Sequence, residues 1–293
     1  EPMQGLLTVE AFHEAGFPAG VVNVIAGRGP LAGDRLARHP DVRMVSFSGA
    51  VPTGKKIMEA AAANLKRLHF NLGSKTAQLV LDDADIAAAA GAVAGNAFPG
   101  QACSAVSRVF VPAARKEEYL AALEDALAEK PAVLLIDAAS VERCERYVAR
   151  GLEEGQKLLR GGGRPSGGDY DTGCWFQPTV FELQSTDSDL YRDEIFGPVL
   201  CVLTYDDVET AIGAINGLGY GLLTSVWTRD PRHAQPVIRR LEMGLVFVNR
   251  TNSITPHAPW GGVKESGFGG RHYGKHALEP FYEYKNVWIY PEA

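Results

Sequence analysis

Short β-branched runs separated by helix-patterned segments recur through most of this chain. That alternation restricts it to α/β architectures built on mostly parallel sheets. Strand-like runs fall at residues 21–25, 42–47, 68–72, 77–81, 107–111, 199–205, 224–227 and 245–248. Helical patterning covers 31–38, 52–63, 85–97, 114–128, 141–155, 207–216 and 231–241. Pro52 sits in the first turn of its segment, where a missing N–H costs nothing. Asp83 or Asp85 is the expected N-cap of the Ala-rich helix after residue 85. Gly161-Gly162-Gly163 with Pro165-Ser166-Gly167-Gly168 is the most linker-like stretch. The tail, 281–290, alternates enough to read as an edge strand offered to a partner.

At 293 residues the chain can bury a sizeable core, in one large α/β domain or two lobes. Its 46% apolar and 22% charged composition is that of an ordinary soluble protein. A net charge of −6 without a Lys/Arg cluster argues against nucleic acid as a partner. No apolar run approaches the roughly 18 residues of a membrane helix, so no membrane partner is expected. Cys103, Cys144, Cys174 and Cys201 are scattered without C-x-x-C spacing. That argues against a metal site or a disulfide framework and for a reducing compartment, the cytoplasm by default.

One thiol stands apart. Gly100-Gln101-Ala102-Cys103, with Ser107-Arg108 close behind, lies after the Ala-rich helix and before an apolar strand. A thiol at such a junction can draw on backbone N–H groups, both to lower its pKa and to receive an oxyanion. A lone cysteine is equally at home as a small buried hydrophobe. The residues around Cys103 leave both readings open.

The remaining motifs carry a resemblance. Gly16-Phe17-Pro18-Ala19-Gly20-Val21-Val22-Asn23-Val24, Val45-Ser46-Phe47-Ser48-Gly49, Leu72-Gly73-Ser74-Lys75 and Gly100-Gln101-Ala102-Cys103 occur in that order. Glu194-Ile195-Phe196-Gly197-Pro198 and Pro259-Trp260-Gly261-Gly262-Val263-Lys264-Glu265-Ser266-Gly267 follow them. Together, from about residue 8 to about residue 290, they resemble the aldehyde dehydrogenase superfamily. The resemblance implies a partial Rossmann-like cofactor lobe, an α/β catalytic lobe and a C-terminal oligomerisation strand. The expected division is 1–72 for the end of the NAD(P)-binding domain, 73–275 for the catalytic domain and 276–293 for the oligomerisation segment. A homo-oligomer, dimer or tetramer, is implied as well.

The same resemblance assigns roles. Cys103 is the expected nucleophile: it attacks an aldehyde, loses hydride to the nicotinamide of NAD or NADP, and is left as a thioester. A thiolate suits this because it is nucleophilic near neutral pH and its thioester stays reactive. The backbone N–H of Cys103 is one expected oxyanion donor. Gly29, Gly33, Ser48, Gly49 and Ala50 are expected along the adenine and phosphate end of the cofactor, without a G-x-G-x-x-G fingerprint. A strand-to-helix turn there suits a pyrophosphate. Leu72 is expected beside the cofactor, Glu194 on the nicotinamide ribose and Phe196 beside the nicotinamide ring. Asn249, Ile254 and Trp260 resemble positions near the substrate pocket, which reads as tolerant of aromatic groups.

Three departures temper this. Asn71 stands where the family carries the Glu that activates the hydrolytic water. An amide can orient a water but cannot deprotonate it. The segment that holds the family's first Rossmann strands, an oxyanion-hole Asn and an adenosine-gripping Lys has no counterpart here. It is expected on the same or another chain. The region 129–135 is shorter than the family's loop. Three functions therefore compete: an NAD(P)-dependent aldehyde dehydrogenase, a coenzyme A-acylating semialdehyde dehydrogenase, and a catalytically silent scaffold.

Overall fold

A computed structural model describes residues 2–98 and 100–291. Helix α1 (Pro2–Glu14) and α2 (Asp34–Arg38) precede β1 (Met44–Ser48), α3 (Val51–Ala61) and β2 (Arg67–Asn71). Then come β3 (Ala77–Val80), α4 (Ile86–Asn96), β4 (Arg108–Pro112), α5 (Lys116–Leu127), β5 (Val133–Leu134) and α6 (Ala138–Glu153). The chain continues through β6 (Lys157–Arg160), β7 (Trp175–Phe176), β8 (Thr179–Glu182), α7 (Asp189–Arg192) and β9 (Val199–Tyr205). It closes with α8 (Val208–Asn216), β10 (Leu223–Trp227), α9 (Pro231–Ile238), β11 (Leu245–Val248) and β12 (Gly267–Phe268).

Seven strands form the main sheet, in the order β11-β10-β3-β4-β9-β8-β6. Only β6, at one edge, runs antiparallel to its neighbour. Parallel strands need both faces covered, and the side chains divide accordingly. Val109, Val111, Leu200 and Val202 join α4 and α5 on one face. Phe110, Cys201, Leu203 and Leu79 join α6, α7, α8 and α9 on the other. A period of two splits each strand between two cores, which makes the sheet doubly covered and its register hard to slip. A smaller sheet, β1-β2-β12, stands beside it, with β12 returning from late in the chain.

Local chemistry explains the ends of several elements. Asp85, not Asp83, caps α4 by accepting from the Ala88 N–H at 3.1 Å. Asp83 is occupied elsewhere, taking the Thr228 hydroxyl at 2.7 Å and facing His233 Nδ1 at 3.1 Å. Asp137 caps α6 through the Ser140 N–H at 2.8 Å.

The structure departs from the sequence reading at residues 21–25. Residues 21–25 form no strand: Val21 and Ile25 are exposed, and no neighbouring strand is there to bond them. The tail, 281–290, is likewise unpaired, beginning at the 3₁₀ turn Glu279–Phe281 and leaving Trp288 and Tyr290 exposed. An extended segment becomes a strand only where a ladder receives it, and none does so within this single chain. The glycine-rich stretch at 161–168 is no linker between lobes, since it joins β6 to the neighbouring β7. Gly161 there adopts φ +69°, and a Cβ on it would lie 2.3 Å from the Pro178 carbonyl oxygen. Among the described residues no helix is long and apolar enough to cross a membrane.

One packing feature of the small sheet carries charge logic. His69 of β2 is buried and stacks on His272, with ring centroids 4.0 Å apart and a tilt of 30°. Phe281 closes edge-on over His69 at 5.9 Å. Neither Nε2 has a hydrogen-bond partner among the described residues. Burial holds both imidazoles below their ordinary pKa of 6.5, and for His272 the neighbouring ring adds to the effect. A folded-state pKa below the unfolded value means the unfolded chain binds more protons near and below 6.5. The contribution is complete above that pH and is lost as the solution is acidified through it. The urea midpoint should therefore fall on acidification below pH 6.5. His272→Phe, which keeps the stack but cannot titrate, should flatten that fall. An unchanged slope in the variant removes the pair as its source.

Candidate active site

The candidate site is a cavity of about 480 Å³ between the two sheets. One wall comes from the end of β1. Register pairs Ser48 with Asn71, so the ends of β1 and β2 lie side by side. The Ser48 hydroxyl and the Gly49 N–H both donate to the Asn71 carbonyl, at 3.1 and 3.2 Å. Gly49 then lets the chain turn tightly into α3, since a Cβ there would fall 2.5 Å from the Phe47 ring. No side chain caps α3 at Ala50. Pro52 has no N–H and the Thr53 N–H bonds the Ala50 carbonyl at 3.0 Å, so the first turn offers an anion the Val51 N–H and the positive end of the helix dipole.

The second wall follows β2. The Leu72 N–H bonds the Ser266 carbonyl at 3.0 Å. The buried Ser266 hydroxyl donates to the Gly73 carbonyl at 2.6 Å and accepts from the Gly221 N–H at 2.9 Å. Next, the Ser74 N–H donates to Glu194 Oε1 at 2.9 Å. Gly73 cannot be replaced here, because its Cβ would sit 2.3 Å from Glu194 Oε2. The missing side chain at 73 is what admits the carboxylate.

The third wall carries the thiol. Cys103 is half-buried and packs against the cluster of Leu222, Leu223 and Trp260. Its carbonyl accepts the Thr76 hydroxyl at 3.2 Å. Next to it, the Ser104 hydroxyl accepts from Asn252 Nδ2 at 2.9 Å. Burial pushes the Cys103 thiol pKa up, and the Glu194 carboxylate pushes the same way. The backbone N–H groups of Cys103 and Ser104 and the Asn71 side-chain amide oppose both by favouring the thiolate. The buried Asn71 Oδ1 has no hydrogen-bond partner among the described residues.

Glu194 is pushed up chiefly by burial, against the Ser74 N–H, Lys75 and Arg143. Phe196, two residues on, adopts φ +55°, a left-handed backbone that is strained for an aromatic residue. The turn it belongs to touches the cysteine segment. A Cβ on Gly100, itself at φ +70°, would lie 2.1 Å from the Gly197 carbonyl oxygen.

Ser48, Gly49, Ala50, Asn71, Leu72, Cys103, Glu194 and Phe196, far apart in sequence, all line this one cavity. Gly29 and Gly33 do not: they flank an exposed π-helical turn, Gly29–Gly33. Ile254 is exposed and off the cavity, and Trp260 packs behind Cys103 rather than in the opening. Asn249 accepts from the Thr228 N–H at 3.0 Å and also lies outside the lining. Arg143 of α6 is a lining residue that motif reading missed. It is one of many charges on an amphipathic helix, and nothing in its spacing singles it out. Among the described residues no cluster of three or more His, Cys, Asp or Glu side chains is arranged to hold a metal ion.

Comparison with known proteins agrees with this geometry. The sequence model of the aldehyde dehydrogenase family matches residues 1–287. Betaine aldehyde dehydrogenase of Bacillus subtilis is 38% identical over 299 residues, covering 98% of this chain and 61% of the relative. The enzyme of that name from Rhizobium johnstonii is 40% identical over 303 residues, with the same coverage of 98% and 61%. The solved NAD+ complex of aldehyde dehydrogenase from Bacillus cereus superposes with a TM-score of 0.93 at 35% identity, covering 98% of this chain and 60% of that one. The chain therefore spans about 61% of the length of these curated relatives. With its motifs, fold and cavity all in agreement, it belongs to the aldehyde dehydrogenase family.

Proposed function

We propose that this chain carries the catalytic portion of an NAD(P)-dependent dehydrogenase that oxidises an aldehyde through a Cys103 thioester. The observation that carries the reading is that Cys103, Glu194, Phe196 and the uncapped N-terminus of α3 open into one cavity. In this reading residues 1–72 end the cofactor domain, 73–275 form the catalytic domain and 276–293 serve assembly into a homo-oligomer. The four cysteines are all free, which suits a reducing, cytoplasmic setting.

The cavity fits a nicotinamide dinucleotide. The α3 N-terminus beyond Gly49 suits the phosphates, Glu194 a ribose hydroxyl, and the exposed face of Phe196 a flat ring. When bound, the nicotinamide supplies the hydride acceptor. The remaining steps belong to the chain. Cys103 Sγ gives up its proton and bonds the aldehyde carbon, and the carbonyl oxygen takes the negative charge. The Cys103 N–H and the Asn71 amide nitrogen are the donors placed to receive that charge. Loss of hydride restores the C=O as a thioester on Cys103. Water, or a thiol in its place, then attacks the thioester carbon and frees the sulfur.

Asn71 decides which acceptor is favoured. It cannot take a proton from water, and its side-chain amide favours the Cys103 thiolate. This favours, as a second reading, transfer of the acyl group to coenzyme A, whose thiol needs less help from a base. Full turnover is proposed to need the portion of the relatives that has no counterpart here, on the same or another chain.

Two outcomes are expected. Incubation with aldehyde and NAD+ should leave an acyl adduct on the Cys103 peptide, seen by mass spectrometry, and Cys103→Ser should abolish both adduct and turnover. No adduct with any aldehyde would leave the scaffold reading standing. Asn71→Glu should raise hydrolytic release by about 10²–10⁴-fold, the usual worth of a general base. If release instead depends on added coenzyme A and Asn71→Glu gives no gain, the acylating reading replaces the hydrolytic one.

A further inference from the structure

Arg143 is the basic side chain on the cavity wall, and both of its hydrogen bonds among the described residues go to main-chain carbonyls. Nε donates to the Ile195 carbonyl at 2.7 Å and Nη2 to the Phe196 carbonyl at 3.2 Å. The two acceptors flank the bond into the left-handed Phe196 backbone. One turn further along α6, the Tyr147 hydroxyl donates to Asp193 Oδ2 at 2.9 Å. Between them, Cys144 packs so closely that a Cβ on Gly197 would lie 2.3 Å from its sulfur. Helix α6 therefore grips the 193–197 turn at three successive points.

The opposite side of that turn faces the thiol segment. Gly100 abuts Gly197 too closely for a side chain, and Cys103 follows three residues later. The turn is thus wedged between α6 and the segment bearing Cys103. Left to itself a non-glycine residue at φ +55° relaxes, so the conformation persists because something holds it. We propose that Arg143 is a positioning residue: its planar fork pins the Glu194–Phe196 turn against the Cys103 segment and so sets the reactivity of that thiol. The fork matters beyond its charge, since a lysine ammonium is a point donor and cannot match two successive carbonyls in one plane.

The significance of this clasp rests on the reading of Cys103 as nucleophile, but the test reads the thiol itself and needs no aldehyde or cofactor. The second-order rate of Cys103 alkylation by iodoacetamide is followed against pH by peptide mass spectrometry. Cys201, fully buried in β9, serves as an internal reporter of general loosening. Releasing the turn withdraws Glu194 and admits water, and both changes favour the thiolate. Arg143→Ala and Arg143→Lys should each raise the rate at mildly alkaline pH by roughly tenfold, one unit of apparent thiol pKa. Millimolar guanidinium should return Arg143→Ala toward the native rate, and ammonium should not. Tyr147→Phe, which removes one hydroxyl from the same clasp, should move the rate in the same direction by less. The proposal is overturned if Arg143→Lys behaves as the native chain, if neither Arg143→Ala nor Tyr147→Phe moves the rate, or if Cys201 becomes reactive in parallel. Failure of aldehyde turnover with these alkylation results intact would sink the dehydrogenase reading and leave the clasp in place.

Discussion

The site depends on a buried guanidinium that no carboxylate neutralises. Arg108, at the start of β4, is 1% exposed and donates Nε and Nη2 to the Lys75 carbonyl at 3.0 and 2.6 Å. Its planar group lies over the Tyr191 ring at 4.8 Å, which recovers part of the lost hydration. Around it, the Thr76 carbonyl takes the N–H groups of Ser107 and Arg108 at 3.0 and 3.2 Å. This knot ties the segment after Asn71 to the segment after Cys103, just before both enter the main sheet. Lys75 lies beside the same cation. Burial, with Arg108 adding to it, brings the Lys75 amine down to about 8. Of two adjacent buried bases, the lysine is the one able to shed its proton.

The knot also explains where the cavity lies. Open α/β sheets bind ligands at the carboxyl ends of their strands, and the small sheet obeys this: β1 and β2 both end at the cavity. The main sheet meets it from the other side, through the segments that lead into β3, β4 and β9. The site is therefore a seam between the exits of one sheet and the entrances of another. Glycines line that seam for steric reasons, because two backbone turns must approach within a side chain's width. Gly73 against Glu194 and Gly100 against Gly197 are the two places where this closeness is enforced.

How much of this a sequence reveals follows from what each signal physically encodes. β9 is legible because strands covered on both faces are apolar at nearly every position, as in its run Val199-Leu200-Cys201-Val202-Leu203. The two-residue strands β5, β7 and β12 carry no period, so their pairing depends wholly on tertiary context. Residues 21–25 have strand composition without a neighbour, and composition alone cannot supply one. Within the site, Asn71, Cys103, Glu194 and Phe196 stand in motifs that are legible through their resemblance to the aldehyde dehydrogenase superfamily, not through local residue type. Arg143 does not: a half-buried arginine on a charged helix looks like any solvated one until its carbonyl partners are seen. Gly29 and Gly33 are assigned by resemblance to the adenine end of the cofactor, and they sit in an exposed turn away from the cavity.

The amide at position 71 can be understood as an electrostatic choice. Burial pushes the Cys103 thiol pKa up, and the one carboxylate it already faces, Glu194, pushes the same way. A second carboxylate at 71 would add like charge in the same enclosed space and raise the thiol further. Asn71 removes that charge, and its side-chain amide favours the thiolate instead. The two effects act at different stages of the proposed reaction. Donation to sulfur favours forming the acyl-enzyme, whereas the absent base slows its hydrolysis by about 10²–10⁴-fold, against roughly tenfold for each unit of thiol pKa. The stronger of the two effects falls on release. Under the proposed mechanism, such a chain would make its thioester more readily than it hydrolyses it, and an acceptor with its own nucleophilic thiol would gain the advantage that water loses.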